Sequence, residues 1–293
     1  MANLKEIRSR IKSVQSTQQI TSAMKMVSAS KLRRAQDAIT RMRPYATKLQ
    51  EILSNLSSSL DTSENQYAQE RELKKVLLVA ISSNRGLAGA FNANVLKALN
   101  RWMAENPKTE AEFLTLGKKA NDALKRSAPN KIKNATFTSM KGDIYENLNF
   151  AYVSDIATET MTKYLKGEYD QVVLFYNSFK NAASQTVMSE QFLPILAPAE
   201  TEERSSVSLD YLFEPSKEEI VQDLIPKSLR IQFFKAMLDS HAGEHGARMT
   251  AMHKATDNAG EMLKDLKLTY NKARQASITG EILEIVAGAE ALS

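Results

Sequence analysis

No cysteine occurs among the 293 residues, which excludes disulfides and thiolate chemistry without identifying a compartment. No apolar run approaches the roughly 18 residues that cross a bilayer as a helix; residues 76–81 and 172–176 are among the longest. The N-terminus, MANLKEIRSR, has neither an apolar core nor a small-residue cleavage site, so it does not read as a signal peptide. No Ser-His-Asp set and no paired carboxylates can be nominated for catalysis. What remains is ordinary for a soluble chain, 43% hydrophobic and 25% charged, and long enough for one large domain or two smaller ones.

The pattern is less ordinary than the composition. Apolar side chains recur at alternating three- and four-residue steps near the N-terminus: Leu4, Ile7, Ile11, Val14, then Leu32, Ala35, Ile39, Met42, then Leu49, Leu53, Leu56, Leu60. The same spacing returns as Met249, Met252, Thr256, Ala259, Leu263, Leu266, Tyr270 and Ala273. Such spacing lays a narrow seam along one helix face, as in a coiled coil. It predicts a helix from about Asn3 to Leu60, interrupted by a kink or break at Pro44, and a second from just after Pro226 to about Leu292. At about 1.5 Å per residue each would reach roughly 80–100 Å. Each buried seam residue contributes about 1.5–3 kcal/mol gross, against about 0.2–0.5 for an exposed charge pair, so the seam decides stability and neither helix is expected to stand alone.

Both seams falter. Gln18 and Thr21 occupy apolar positions, and the step from Ala273 to Ile278 is five residues before Ile282, Ile285, Ala289 and Leu292 resume. Matching irregularities near the two ends predict an antiparallel pair with Gln18 beside Gln275.

Between the helices the period changes. The run 76–81 followed by Ser-Ser-Asn-Arg-Gly reads as a buried strand and turn. Helices are expected at 90–105, 118–126 and 156–165, strands at 112–116 and 171–176, and an antiparallel strand at 185–193. This alternation implies βαβ units and a mostly parallel, helix-covered sheet. The expected division is an N-terminal coiled-coil helix (1–60), a linker (61–72), an α/β domain (73–200), a connector (201–226) and a C-terminal coiled-coil helix (227–293).

Charge is unevenly placed. Residues 1–48 hold eleven basic side chains, among them Lys25, Lys31, Arg33 and Arg34, against only Glu6 and Asp37. This is either a solvated face or a cationic surface opposite an anionic partner. Basic and seam residues interleave over the same turns, which favours a protein over nucleic acid. His241-Ala-Gly-Glu244-His245 spells a metallopeptidase string, but it lies on a seam-bearing helix without a pocket-forming pattern. Ser83-Asn-Arg-Gly86-Leu-Ala-Gly89 sits where phosphate loops occur yet lacks both fingerprints of such loops, so a structural turn is expected. Asn134-Ala-Thr136 fits a glycosylation sequon that has no meaning without secretion.

Three segments carry a resemblance. ITGEILEIVAGAEA (278–291), with Ile278, Thr279, Glu281, Glu284, Gly288 and Ala289, resembles the signature of the gamma subunit of F-type ATP synthases. Ala255–Asn258, Tyr270–Ser277 and ITSAMKMVSASKLRRAQ (20–36) resemble the same family, and helix, α/β domain, helix follow in the family's order. The resemblance implies a central rotor stalk: an antiparallel coiled coil plus a Rossmann-like α/β domain with a mostly parallel sheet. The coil would turn inside a ring of alternating alpha and beta subunits, with the α/β domain against the epsilon subunit and the membrane c-ring. Such a chain uses no cofactor or metal, performs no chemistry, and meets the membrane only through its complex, on the cytoplasmic side of the bacterial plasma membrane. The resemblance further implies beta-subunit contacts by Met24, Lys25, Arg33 and Arg34, and, near the shaft tip, by Arg248, Arg274, Gln275, Thr279 and Glu284. Ile282, Ile285, Ala289 and Leu292 would turn in an apolar bearing. The competing reading is a coiled-coil scaffold or nucleic-acid clamp with an α/β head.

Overall fold

The structure, a computed structural model, describes residues 4–57, 66–69, 71–131, 135–140, 142–145, 148–182, 184–195 and 217–290. Asn3, Leu60, Asn134, Pro198, Pro215, Leu292, most of the expected linker and residues 201–216 of the expected connector lie outside the described residues. So do the side chains of Leu53 and Leu56.

Helix α1 spans Leu4–Ser57 and helix α5 spans Lys217–Glu290. α1 runs without a break through Pro44, and the expected start of α5 is corrected: it begins nine residues before Pro226 instead of after it. Proline removes one helical N–H, but Ile225, just upstream, packs on the core and holds the turn there. The chain divides into two compact units, Met1–Ala29 with Arg248–Ser293, and Ser30–Ala247. Segments of both end helices therefore belong with the α/β body rather than with the coiled coil.

In the body, strands β1 (Lys75–Ile81), β2 (Glu110–Leu116), β3 (Ala135–Met140), β4 (Gln171–Phe179) and β5 (Gln185–Leu193) form one sheet in the order β3-β2-β1-β4-β5. All neighbours run parallel except β4 and β5. Helices α2 (Phe91–Glu105), α3 (Lys118–Lys131) and α4 (Phe150–Leu165) complete it, with a 3-10 turn at Gly142–Tyr145. α4 starts six residues before its expected onset, where the Asn149 side chain accepts the Tyr152 N–H at 2.9 Å and caps it.

β1 shows why its run is continuously apolar. Leu77, Val79 and Ile81 face one core with Ile156 and Tyr164 of α4 and Leu229, Phe233 and Met237 of α5. Val76, Leu78 and Ala80 face a second core with Val95 and Leu99 of α2 and Ala120 and Leu124 of α3. A central parallel strand buried on both faces has no polar side to show.

Asp239 of α5 is buried, with Ser178 Oγ donating to its Oδ2 at 3.4 Å. Burial raises its pKa, the nearby Glu190 adds to this, and Lys235, the Ser178 hydrogen bond and Arg43 oppose it. The folded state thus binds the Asp239 proton more tightly than the unfolded chain. This contribution is full below the ordinary carboxyl range and is lost as pH rises through the raised folded value. Asp239→Asn is expected to flatten that part of the stability–pH curve, measured by thermal melts between pH 4 and 8. An unchanged slope would show that Asp239 ionises freely.

Candidate functional site

In the coiled-coil unit the seam is realised residue by residue. Ile7, Met252, Ala259 and Leu263 are buried, and Leu4, Ile11, Val14, Met249, Thr256, Leu266, Tyr270 and Ala273 are half-buried. Three contacts set direction and register. Arg8 Nη2 donates to Tyr270 Oη at 2.6 Å, with its guanidinium 5.6 Å from the ring centroid. Gln18 Nε2 lies 3.0 Å from where a Cβ would stand on Gly260. Thr256 Oγ1 donates to Thr21 Oγ1 at 2.9 Å. From Arg8 to Thr21 the chain advances thirteen residues while its partner retreats fourteen, so the helices are antiparallel, as expected.

The detailed pairing is corrected. Gln18 meets Gly260, not Gln275, which lies fifteen residues and roughly 22 Å further along α5. The two irregularities do not face each other, because the helices are not flush at their ends. Extrapolation puts Leu4 opposite about residue 274, so α5 continues past the described part of α1 by roughly 24 Å as a single helix. Exposure agrees: residues 281–289 are all exposed, including Ile282, Leu283, Ile285 (71%) and Val286. Apolar side chains left this bare on a narrow helix mark an interaction surface.

The expected contact residues separate into distinct places. Arg274, level with Leu4, is exposed, as are Gln275, Thr279 and Glu284 on this single-helix segment, and the Thr279 hydroxyl donates to the Gln275 carbonyl at 2.9 Å. Ile282, Ile285 and Ala289 share the segment and are exposed. Met24 and Lys25 are half-buried on α1. Arg33 and Arg34 are exposed further along α1, on the portion that belongs to the α/β unit. Arg248 is corrected: it is buried and lies roughly 39 Å from Arg274 along α5, not near the tip. The register brings it to about the level of Ala29, one turn from Lys25.

Sequence reasoning missed Ile20, Met26 and Val27, which are 56%, 63% and 58% exposed beside Met24 and Lys25. Their signal was present: they are apolar residues off the seam, on a face that needs no burial within the coil.

In the α/β body, the crevice where an open sheet takes ligands lies at the carboxyl ends of β1 and β4, where the strand order switches. α5 crosses that place. A Cβ on Gly243 would stand 3.4 Å from Phe91 and Gln185 side-chain atoms, and one on Gly246 would stand 3.2 Å from the Ala182 backbone. The turn after β1 is satisfied from within. Ser82 Oγ accepts from Ala120 N–H at 2.9 Å, and Asn84 Oδ1 from Lys118 N–H at 3.0 Å, which caps α3. Asn92 Oδ1 accepts the Ser83 N–H at 3.0 Å. His241 and His245 pack edge to face at 4.5 Å, with His241 stacked on Tyr145, and the described residues hold no group of three His, Cys, Asp or Glu able to bind a metal. Among the described residues no helix is long and apolar enough to cross a membrane.

An antiparallel two-helix shaft that thins to one bare helix, on a chain that also folds an α/β body, defines a stalk-type subunit: an object whose working parts are its surface and its length. Known proteins place it further. A family model described as ATP synthase matches residues 3–292. ATP synthase gamma chains of Christiangramia forsetii and Flavobacterium johnsoniae are 59% and 58% identical, each over the whole of both chains. Among solved structures, a chain of the central stalk and c-ring of Tetrahymena thermophila mitochondrial ATP synthase is 27% identical, with a TM-score of 0.60 over 80% of this chain and 99% of that one. A chain of the Euglena gracilis mitochondrial ATP synthase shares the fold, with a TM-score of 0.68 over 99% of this chain and 94% of that one at 21% identity. The chain belongs to the ATP synthase gamma chain family, the central rotor shafts of F-type ATP synthases.

Proposed function

We propose that this chain is the turning element that carries proton-driven rotation from a membrane c-ring to catalytic beta subunits, and that it performs no chemistry itself. The observation that carries this reading is the bare apolar single-helix tip beyond a polar-flanked two-helix shaft. Such a tip suits rotation in a greasy bearing, where contacts are non-directional and exchange without deep traps. We assign Ile282, Ile285, Ala289 and Leu292 to that bearing. Arg274, Gln275, Thr279 and Glu284 then make polar contacts with beta-subunit loops, and Met24 and Lys25 face a beta-subunit lever. Arg33 and Arg34 extend the cationic surface towards anionic lever segments. Exposed ion pairs contribute only about 0.2–1 kcal/mol each, so they steer without locking. The α/β body meets epsilon and the c-ring, on the cytoplasmic side of a bacterial plasma membrane, with no nucleic acid and no cofactor involved.

The test is co-purification. The tagged chain is expected to bring down alpha and beta subunits from its native membrane, and capture of nucleic acid without them would support the scaffold alternative. For the cationic surface, Arg33→Glu with Arg34→Glu is expected to lower ATP synthesis about two- to thirtyfold without loss of assembly, the range that two exposed ion pairs allow. Unchanged synthesis would assign both arginines to solvent.

A further inference from the structure

The polar residues inside the seam are unexplained by packing alone. A coiled coil gains most from apolar residues at every seam position, yet here Thr21 is 9% exposed and meets Thr256, and Gln18 fills the space left by Gly260 one turn away. Each hydroxyl carries one proton. Thr21 Oγ1 donates to its own Gln18 carbonyl at 3.1 Å and still accepts, while Thr256 Oγ1 has two acceptors in reach, Thr21 Oγ1 at 2.9 Å and its own Met252 carbonyl at 2.8 Å. The Thr–Thr link is therefore formed in exchange with an intrahelical bond, and it is directional. Apolar burial resists separation of two helices but is indifferent to small shear between them, since area changes little when one surface slides over another. A hydrogen bond between helices and a side chain seated over a glycine both fail on shear, because each depends on angle and position. Arg8 on Tyr270 is a third directional contact, thirteen residues along α1 from Thr21.

We propose that Thr21–Thr256 and Gln18–Gly260 form a shear key, which makes the two helices turn as one body when the shaft is loaded. These are positioning residues: they touch no substrate and act by fixing Met24 and Lys25 on α1 against the tip carried by α5. The inference rests on the rotor reading for its purpose, but not for its geometry.

The test uses the assembled complex and the absence of native cysteine. Ile11→Cys with Leu266→Cys reports the observed register, and Ile11→Cys with Leu263→Cys reports a shift of one turn. Thr21→Val with Thr256→Val keeps shape and adds apolar surface to the seam, so thermal stability is expected to hold or rise. The off-register cross-link is nevertheless expected to increase about two- to tenfold, the factor that one lost hydrogen bond allows. Protons pumped per ATP hydrolysed fall with it, while unloaded hydrolysis is unchanged. Thr21→Ser with Thr256→Ser, which restores the hydroxyls in smaller side chains, is expected to return both readouts towards wild type. A purely structural pair would move stability and coupling in the same direction.

The proposal is overturned if the valine pair shows the wild-type cross-link pattern and the wild-type pumping ratio. It is equally overturned if the valine pair fails to assemble while the serine pair assembles, since the hydroxyls would then serve folding. Failure of the unmutated chain to co-purify with alpha and beta subunits would remove the rotor reading and leave the cross-link result standing on its own.

Discussion

Gly117→Ala is expected to be the most destabilising single change in the α/β body. Gly117 joins β2 to α3 with φ at +117°, a conformation side-chain-bearing residues rarely adopt. A Cβ there would lie 2.0 Å from the Ser82 carbonyl oxygen, 2.7 Å from its carbon and 2.8 Å from its Oγ. Two of those atoms are backbone, fixed where the Ser82 N–H donates to the Leu116 carbonyl at 2.8 Å, so no rotamer relieves the clash. Relief means parting the ends of β1 and β2 and losing the Ser82 cap on α3. We expect a loss of at least about 4 kcal/mol, out of the 5–15 or so that a native protein has. The transition should fall by roughly 8–16 °C in a thermal melt. Gly89→Ala is the control: its φ is also positive, at +56°, but nothing lies within 4 Å of the new methyl. It should cost about 1–2 kcal/mol, the conformational term alone. Similar losses for the two variants would show that the backbone at Gly117 gives way.

Phe233→Ala comes next in size. Phe233 is fully buried and packs edge to face on Phe192 of β5, with ring centroids 5.5 Å apart. Leu229 and Met237, one turn to either side, join the same core. Removing the ring leaves a cavity walled by helix and sheet, neither of which can collapse far, and the expected cost is about 3–5 kcal/mol. Phe150→Ala, at a 45% exposed position on α4, should cost a small fraction of that. Chemical denaturation of the pair measures the difference. A Phe233→Ala loss below about 1.5 kcal/mol would mean that α5 is not anchored to the sheet through this side chain.

The seam of α5 was legible because period is a property of sequence: Met252, Ala259 and Leu263 are buried where the spacing put them. β1 and β4 were legible because strands covered on both faces must be apolar throughout. β3, Ala135–Met140, was not, since an edge strand of mixed side chains, paired on one side only, carries no such run. The start of α5 was misjudged because a preference for proline in a first helical turn is weaker than the tertiary packing of Ile225. The pairing of Gln18 was misjudged because counting inward from chain ends assumes flush helices. Of the site, residue types and their helices were legible from the family resemblance, but exposure was not. Burial of Arg248 and baring of Ile20, Met26 and Val27 depend on which face the partner helix covers, and that is fixed only by register.

The unequal helices have a practical consequence for handling the protein. Because Leu4 stands opposite about residue 274, anything fused ahead of it emerges beside the bare segment of α5, where Gln275 and Thr279 lie. An N-terminal affinity tag would obstruct the opposite end of the sequence. The Leu87–Gly89 turn, exposed at Leu87 and open around Gly89, is the better attachment point for a handle or a fluorophore.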